Sequence, residues 1–158
     1  MPGETEVKES GAVRTQHFEL GAQGEALAIE HLEQLGYRIV AANFNLPIGR
    51  NTRDVVVNAE IDLVAYDGST LCFIEVKTRA SDQLAAPQAN VDLRKRRQIA
   101  RAARSYRRMF GLTNSPFRYD VVTVVGKPED AHPRIALLKA FWNDEQLRKK
   151  NWREPYWD

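Results

Sequence analysis

The 158-residue chain contains a single cysteine, Cys72. It can close no internal disulfide, so a reducing, cytoplasmic setting is the expectation. No apolar run is long enough to cross a bilayer, which argues against a membrane partner. Met1 to Gln16 is polar and lacks the apolar centre of a secretory signal. It reads as a flexible lead-in. The three histidines, His17, His31 and His132, show no metal-ligand spacing. No Ser-His-Asp arrangement and no glycine-rich phosphate loop occurs, so neither a serine hydrolase nor a P-loop enzyme is indicated. The net charge is only +2, so overall charge selects no partner.

Charge distribution is more telling. Arg94, Lys95, Arg96, Arg97, Arg101, Arg104, Arg107 and Arg108 crowd one segment, while acids gather near residues 60–75 and in the tails. A basic helix beside an acidic pocket suits a polyanion that is gripped and then cut. The length suits one domain with a real core. We place it at residues 17–142, after a flexible N-terminal extension (1–16) and before a polar, aromatic C-terminal tail (143–158).

Apolar periodicity predicts a first helix from His17 to Leu35, with Gly21, Glu25, Ala28, Leu32 and Leu35 on one stripe and Gly36 ending it. Tyr37 to Asn43 reads as a short strand. Asn45 to Arg53, with Pro47, Gly49 and Asn51, reads as a loop. Val55 to Tyr66 is a strand with a bulge expected at Asn58, and Asp67-Gly68 marks a hairpin. Thr70 to Thr78 reads as a central strand buried on both faces. Arg79 to Asn90 reads as a loop. Asp92 is the expected N-cap of a second helix reaching Phe110, with Leu93, Ile99, Ala100, Ala103, Tyr106 and Phe110 turned inward. Phe117 to Val125 and Arg134 to Ala140 complete the order α-β-β-β-α-β-β. The fold class is therefore α/β, with a mixed sheet of about five strands flanked by helices. The strand–helix–strand unit 70–125 implies a parallel crossover.

Chemistry concentrates in Glu60-Ile61-Asp62 and Glu75-Val76-Lys77. Residues two apart share a strand face, so Glu60 and Asp62 point one way, and so do Phe73, Glu75 and Lys77. The hairpin lets Asp62 and Glu75 approach. Two carboxylates there repel unless a cation lies between them. A divalent metal resolves the conflict; a Glu75–Lys77 salt bridge is the plainer alternative. Glu25 lies on the inward stripe of the first helix, where Gly21 and Gly24 permit close approach. It either reaches the same metal or pairs at the rim. Lys95 leans toward the sheet while Arg94, Arg96 and Arg97 splay outward; it contacts a phosphate or belongs to a solvated face. Asp120 either orients Lys95 or, the favoured reading, closes a structural salt bridge. Trp142, Trp152, Tyr156 and Trp157 pin a tail, or stack on bases.

These residues make the chain resemble the YraN family, uncharacterised bacterial proteins with a restriction-endonuclease-like fold. The matching blocks are Gly21-x-x-Gly24-Glu25-x-x-Ala28 with Gly36-Tyr37 and Asn43; Glu60 to Ala65; Phe73 to Arg79; Arg94-Lys95; and Arg118 to Val122. The wider group it is similar to is the PD-(D/E)xK nucleases, Holliday-junction resolvases among them. The resemblance implies that Asp62, Glu75 and Lys77 occupy catalytic and metal positions, with Glu25 the helix carboxylate. It also implies Mg²⁺ dependence and a DNA substrate. Two features depart from the family pattern. Ala59 stands where glycine is usual, and residues 45–58 form a longer link, able to extend a hairpin over the cleft.

The expected function is thus a metal-dependent endonuclease acting on branched or otherwise non-standard DNA. Asp62, Glu75, the Val76 carbonyl and Glu25 would ligate Mg²⁺ or Mn²⁺, and Lys77 would act on the attacking water. Lys95, Arg94, Arg97 and Arg101 would hold the backbone. Cutting both strands needs two sites, which is compatible with a homodimer. The alternatives are a nucleic-acid-binding module of the same fold without catalysis, and a protein-interaction scaffold using the aromatic C-terminus.

Overall fold

The computed structural model describes residues 21–80, 91–127 and 129–148. Helix α1 covers residues 21–34, and Gly36, at φ 90°, takes the left-handed position that closes it. Five strands come after it: β1 (Arg38–Arg50), β2 (Val56–Asp67), β3 (Thr70–Arg79), β4 (Phe117–Val125) and β5 (Arg134–Trp142). Helix α2 (Leu93–Met109) connects β3 to β4, and a 3₁₀ turn (Asp144–Leu147) succeeds β5.

The strands lie in the order β1-β2-β3-β4-β5. Only β3 and β4 run parallel; the other neighbours are antiparallel. The sheet is mixed because three antiparallel connections, two before and one after, flank one helical crossover, as the order α-β-β-β-α-β-β demands. Helix α1 covers one face over Leu63, Ala65, Cys72, Ile74, Val122 and Val124. Helix α2 covers the other through Ile99, Ala102, Ala103 and Tyr106, packed on Phe73, Tyr119 and Val121. Strand β3 supplies both cores, which is why its apolar run is nearly continuous. No helix among the described residues is long and apolar enough to cross a membrane.

The segment expected as a loop at Asn45–Arg53 is strand as far as Arg50. Proline usually breaks strands, and Pro47 suggested a break here. It is tolerated because β1 is an edge strand with a register shift between Pro47 and Gly49. The irregularity expected at Asn58 therefore sits on the partner strand, where Pro47 faces Asn58. A second shift lies between Ile39 and Ala41. The tight end of this long hairpin is built by Asn51, whose side-chain oxygen accepts the backbone N–H of Arg53 at 2.9 Å and of Val55 at 3.1 Å.

Helix α2 begins as expected. The Asp92 side chain accepts the Lys95 backbone N–H at 2.8 Å. Its inner stripe is narrower than the spacing suggested. Leu93 and Phe110, at the two ends, are 46% and 51% exposed, and Ala102 is buried instead. Just past α1, Leu35 is likewise 53% exposed, whereas Ala28 and Leu32 on the helix are fully buried. End residues of a helix overhang the sheet, so periodicity alone overstates their burial.

Candidate metal centre

Strands β2 and β3 pair from the Asp67–Thr70 turn only as far as Leu63 and Ile74. Beyond that point β2 pairs only with β1, and β3 only with β4. The sheet forks, and Asp62 stands in the opening. One of its oxygens accepts the backbone N–H of Val76 at 2.9 Å, replacing the ladder bond that the fork removes. Strand β2 also turns its faces here. Ala59 and Ile61 join the α2-side core, whereas Leu63 and Ala65 join the α1-side core. Opposite Asp62, between the Ala42–Leu63 and Phe44–Ile61 pairs, Asn43 takes the left-handed conformation at φ 51°. Asparagine tolerates that region better than most residues.

Four acidic side chains gather at this fork. Glu25, Glu60 and Asp62 each offer an oxygen, all within 4.8 Å of one another. Glu25 arrives from α1 because Gly24 permits close approach: a Cβ at residue 24 would collide with the Thr78 hydroxyl. The Asn43 amide then holds Glu25, donating to its carboxylate at 3.0 Å. Glu75 comes from β3 and is only 5% exposed. Its Oε2 is buried with no hydrogen-bond partner among the described residues.

Crowding sets the electrostatics. Burial pushes the Glu75 carboxyl up to about 8, and the Asp62 charge adds to the shift. Lys95 and, less strongly, Lys77 oppose it. Burial also raises Glu60, with Asp62 and Glu25 contributing and Lys95 again opposing. The salt bridge offered as the plainer explanation of Glu75 exists only as a long contact, 4.0 Å from Lys77 Nζ to Oε1. It leaves the second oxygen unsatisfied.

The structure thus brings together Glu25, Asp62, Glu75, Val76, Lys77 and Lys95. Glu60 joins them more closely than its place in the sequence indicated. The acid-x-acid spacing carried that signal, since both side chains were expected on one face. Asn43 was visible only as a member of a matching block; nothing in its type announced that it holds Glu25. Hard oxygen donors of this kind suit Mg²⁺ or Mn²⁺, and a buried carboxylate oxygen without a partner is a site that a cation satisfies.

Other expectations resolve differently. Asp120 does not orient Lys95. It is fully buried, accepts Arg118 Nε at 2.9 Å, Tyr37 Oη at 3.3 Å and the Ala140 N–H at 2.9 Å. Arg118 continues to Asp67 at 2.6 Å, and that contact holds the Asp67 carboxyl below its usual range. This network closes the far end of the sheet, the structural role. Arg96 does not splay outward: its Nε donates to the Val91 carbonyl at 2.7 Å, and its guanidinium lies 5.1 Å from the Phe141 ring centre. Trp142 is buried and stacked on Tyr119, with ring centres 4.8 Å apart, so it anchors β5. Trp152, Tyr156, Trp157 and His17 lie outside the described residues. Cys72 is fully buried, and burial pushes its thiol up to about 12.

Comparison with known proteins places the chain among relatives of similar length. It is 40% identical over 126 residues to a UPF0102 protein of Koribacter versatilis, covering 79% of this chain and 80% of that protein. It is 39% identical over 131 residues to a UPF0102 protein of Chlorobium limicola, covering 79% and 93%. A UPF0102 protein of Chlorobaculum tepidum is 44% identical over 106 residues, covering 67% and 74%. The model of the uncharacterised protein family UPF0102 matches residues 24–124, which run from Gly24 beside the acidic cluster through the whole fork to the penultimate residue of β4; the chain belongs to this family, the one also called YraN.

Proposed function

We propose that the protein is a metal-dependent endonuclease that hydrolyses phosphodiester bonds in DNA, with branched or otherwise non-standard structures as the substrate class. The observation that carries this reading is the crowding of two carboxyls in the sheet fork: Glu75 is buried beside Asp62, and its Oε2 has no hydrogen-bond partner among the described residues. Two carboxyls crowded at a buried site, with lysines beside them and no arginine between them, are costly to ionise together, and a divalent cation offsets that cost.

Asp62, Glu75 and the Val76 carbonyl, with Glu25 and Glu60 at the helix side, would hold Mg²⁺ or Mn²⁺. When bound, the ion supplies positive charge that offsets the charge developing on the phosphoryl oxygens. Lys77 is one-third exposed, while the Glu75 side chain is nearly enclosed. The ammonium can therefore meet solvent and orient the water that attacks phosphorus in line, leaving a 5′-phosphate and a 3′-hydroxyl. Lys95 stands on the α2 side of the same carboxylates, where it would hold a phosphate next to the one cut. Arg94, Arg97 and Arg101 continue the positive charge along the helix.

One panel tests the proposal: linear duplex, flap, four-way junction and single strand, each with Mg²⁺, Mn²⁺ or EDTA. We expect cleavage of at least one DNA in either metal and none in EDTA. Cleavage that persists in Asp62→Ala, or that ignores EDTA, would remove the reading. DNA binding without manganese uptake would leave a binding module of the same fold.

A further inference from the structure

The arginines of α2 are not one uniform face. Arg96 and Arg107 are committed to the fold: Arg96 lies over Phe141, and Arg107 sits 3.8 Å above the Phe117 ring. Lys95 serves the carboxylates. Arg97, Arg101 and Arg104 instead line a cavity of about 410 Å³ between α2 and the 3₁₀ turn, which adds Asp144, Leu147 and Arg148. Nothing in the metal centre contributes to it.

Charge balance in this groove is one-sided. Arg97, Arg104 and Arg148 have no carboxylate partner among the described residues, and the Nε of Arg97 is buried without any hydrogen-bond partner. The one acid in the wall, Asp144, is already engaged: its Oδ1 accepts the Tyr119 hydroxyl at 2.7 Å. Arg101 lines the same cavity, and its guanidinium lies close to Gly49 of the long hairpin. Arg97 is half-buried and Arg104 and Arg148 are exposed, and together they give one concavity a positive charge that a bound anion would offset. Their planar forks match phosphate oxygens.

We infer that this groove is a second nucleic-acid contact, in which Arg97, Arg104 and Arg148 grip backbone phosphates of the DNA at a distance from the bond being cut. From Arg97 to Arg104 the helix advances about 10 Å at roughly 1.5 Å per residue, room for two or more successive phosphates of one strand. Lys95 and the metal centre lie toward the N-terminal end of the same helix. At about 100° per residue Arg97, Arg101 and Arg104 lie on the opposite side of α2 from Lys95, so the DNA passes over the N-terminal end of the helix to meet both the carboxylates and the groove. The groove fixes how the DNA lies; the fork determines whether it is cut. The inference rests on the reading of the chain as a DNA-acting protein, but not on hydrolysis.

The test is binding of a labelled duplex of about 20 base pairs to the full chain in EDTA, read by fluorescence anisotropy across a series of NaCl concentrations. Arg97→Gln, Arg104→Gln and Arg148→Gln are each expected to weaken binding about 3- to 10-fold. The triple variant should lower the slope of log affinity against log salt by about 2.7, at roughly 0.9 for each of the three phosphate contacts. Arg38→Gln, on the far edge strand, should change neither quantity, and circular dichroism checks that each variant is folded. Inorganic pyrophosphate should compete only weakly, since it spans a single phosphate pair. Equal binding and equal salt slope in the triple variant would overturn the inference. So would pyrophosphate that competes as well as unlabelled duplex, because the groove would then hold a small anion. Metal-dependent cleavage by the wild type, alongside an unaffected triple variant, would leave the endonuclease reading standing while the groove fails. Loss of binding in the triple variant, with no cleavage in any metal, would be the reverse.

Discussion

The Asp62 carboxylate accepts the Val76 N–H at 2.9 Å and so spans the gap where β2 leaves β3. The same side chain raises the proton affinity of Glu75, one residue before Val76. Asp62 therefore holds the fork together with one oxygen while making it electrostatically uncomfortable with its charge. Stability, metal uptake and cleavage should all register that tension.

The clearest effect is on pH dependence. Glu75 titrates near 8 in the fold and near 4.5 when unfolded. Its folded-state value is raised, so the metal-free protein binds an extra proton between those values and loses stability as pH climbs from about 4.5 toward 8. Glu75→Gln removes that dependence. In EDTA the variant should melt at a higher temperature than wild type at about pH 9, with a much smaller difference at about pH 5. Metal uptake displaces the proton, so manganese affinity should rise with pH, by up to about tenfold per unit, and level off above about 8. Titration calorimetry in two buffers of different ionisation heat reads the released proton directly.

Lys77 and Asp62 should separate chemistry from binding. Lys77→Ala is expected to reduce single-turnover cleavage by about 100-fold or more, the usual scale for losing a group that handles a proton or orients a water. Manganese binding should remain. Asp62→Ala should abolish both cleavage and tight metal binding, yet keep DNA affinity in EDTA within a few-fold. Equal activity of Lys77→Ala and wild type would show that the ammonium has no part in the reaction.

Gly24 sets how near α1 comes to β3. Gly24→Ala drives a methyl group into Thr78, so the helix must retreat or Thr78 must turn away. Over-packing of this kind costs about 1–3 kcal/mol. Because the next residue is Glu25, metal affinity should fall together with the melting temperature. Gly24→Ala combined with Thr78→Ala should recover part of both. If the single variant loses stability alone, Glu25 does not reach the ion.

Arg118 tests whether the second buried charge cluster is separate from the first. Replacing it by methionine strands Asp120, which is fully buried, and should cost about 3 kcal/mol or more in urea unfolding. Manganese affinity should be unchanged, since Asp120 packs with Tyr37 and Ala140 and not with Lys95.

Most of the architecture was legible because it rests on strong local signals. Strand β4 begins and ends at the residues that its valine run suggested, and Asp92 caps α2 as its position implied. The approach of Asp62 to Glu75 was also legible, since a two-residue turn fixes the register of the strands on either side of it, although the fork that ends the ladder just before them was not; Gly68, at φ 60°, opens that turn. Features decided by distant partners were hidden. Pro47 signals a break unless it is known that β1 lies at an edge. Arg96 and Arg97 are neighbours of the same type, yet one is drawn onto Phe141 and the other lines a groove. The role of Asn43 depends on Glu25, 18 residues earlier in the chain and on another element. Leu93, Leu35 and Phe110 obey the helical period but overhang the sheet, and no local pattern reports where the sheet ends.

The outer margin of β1 carries a last consequence. Pro47 has no N–H to offer a neighbour, and two register shifts break the even spacing of the strand. A foreign strand laid alongside would find neither continuous donors nor a constant pitch. Sheet extension through this margin, the simplest route to unwanted polymerisation, is therefore closed, and two copies of the chain meeting here would have to join through side chains.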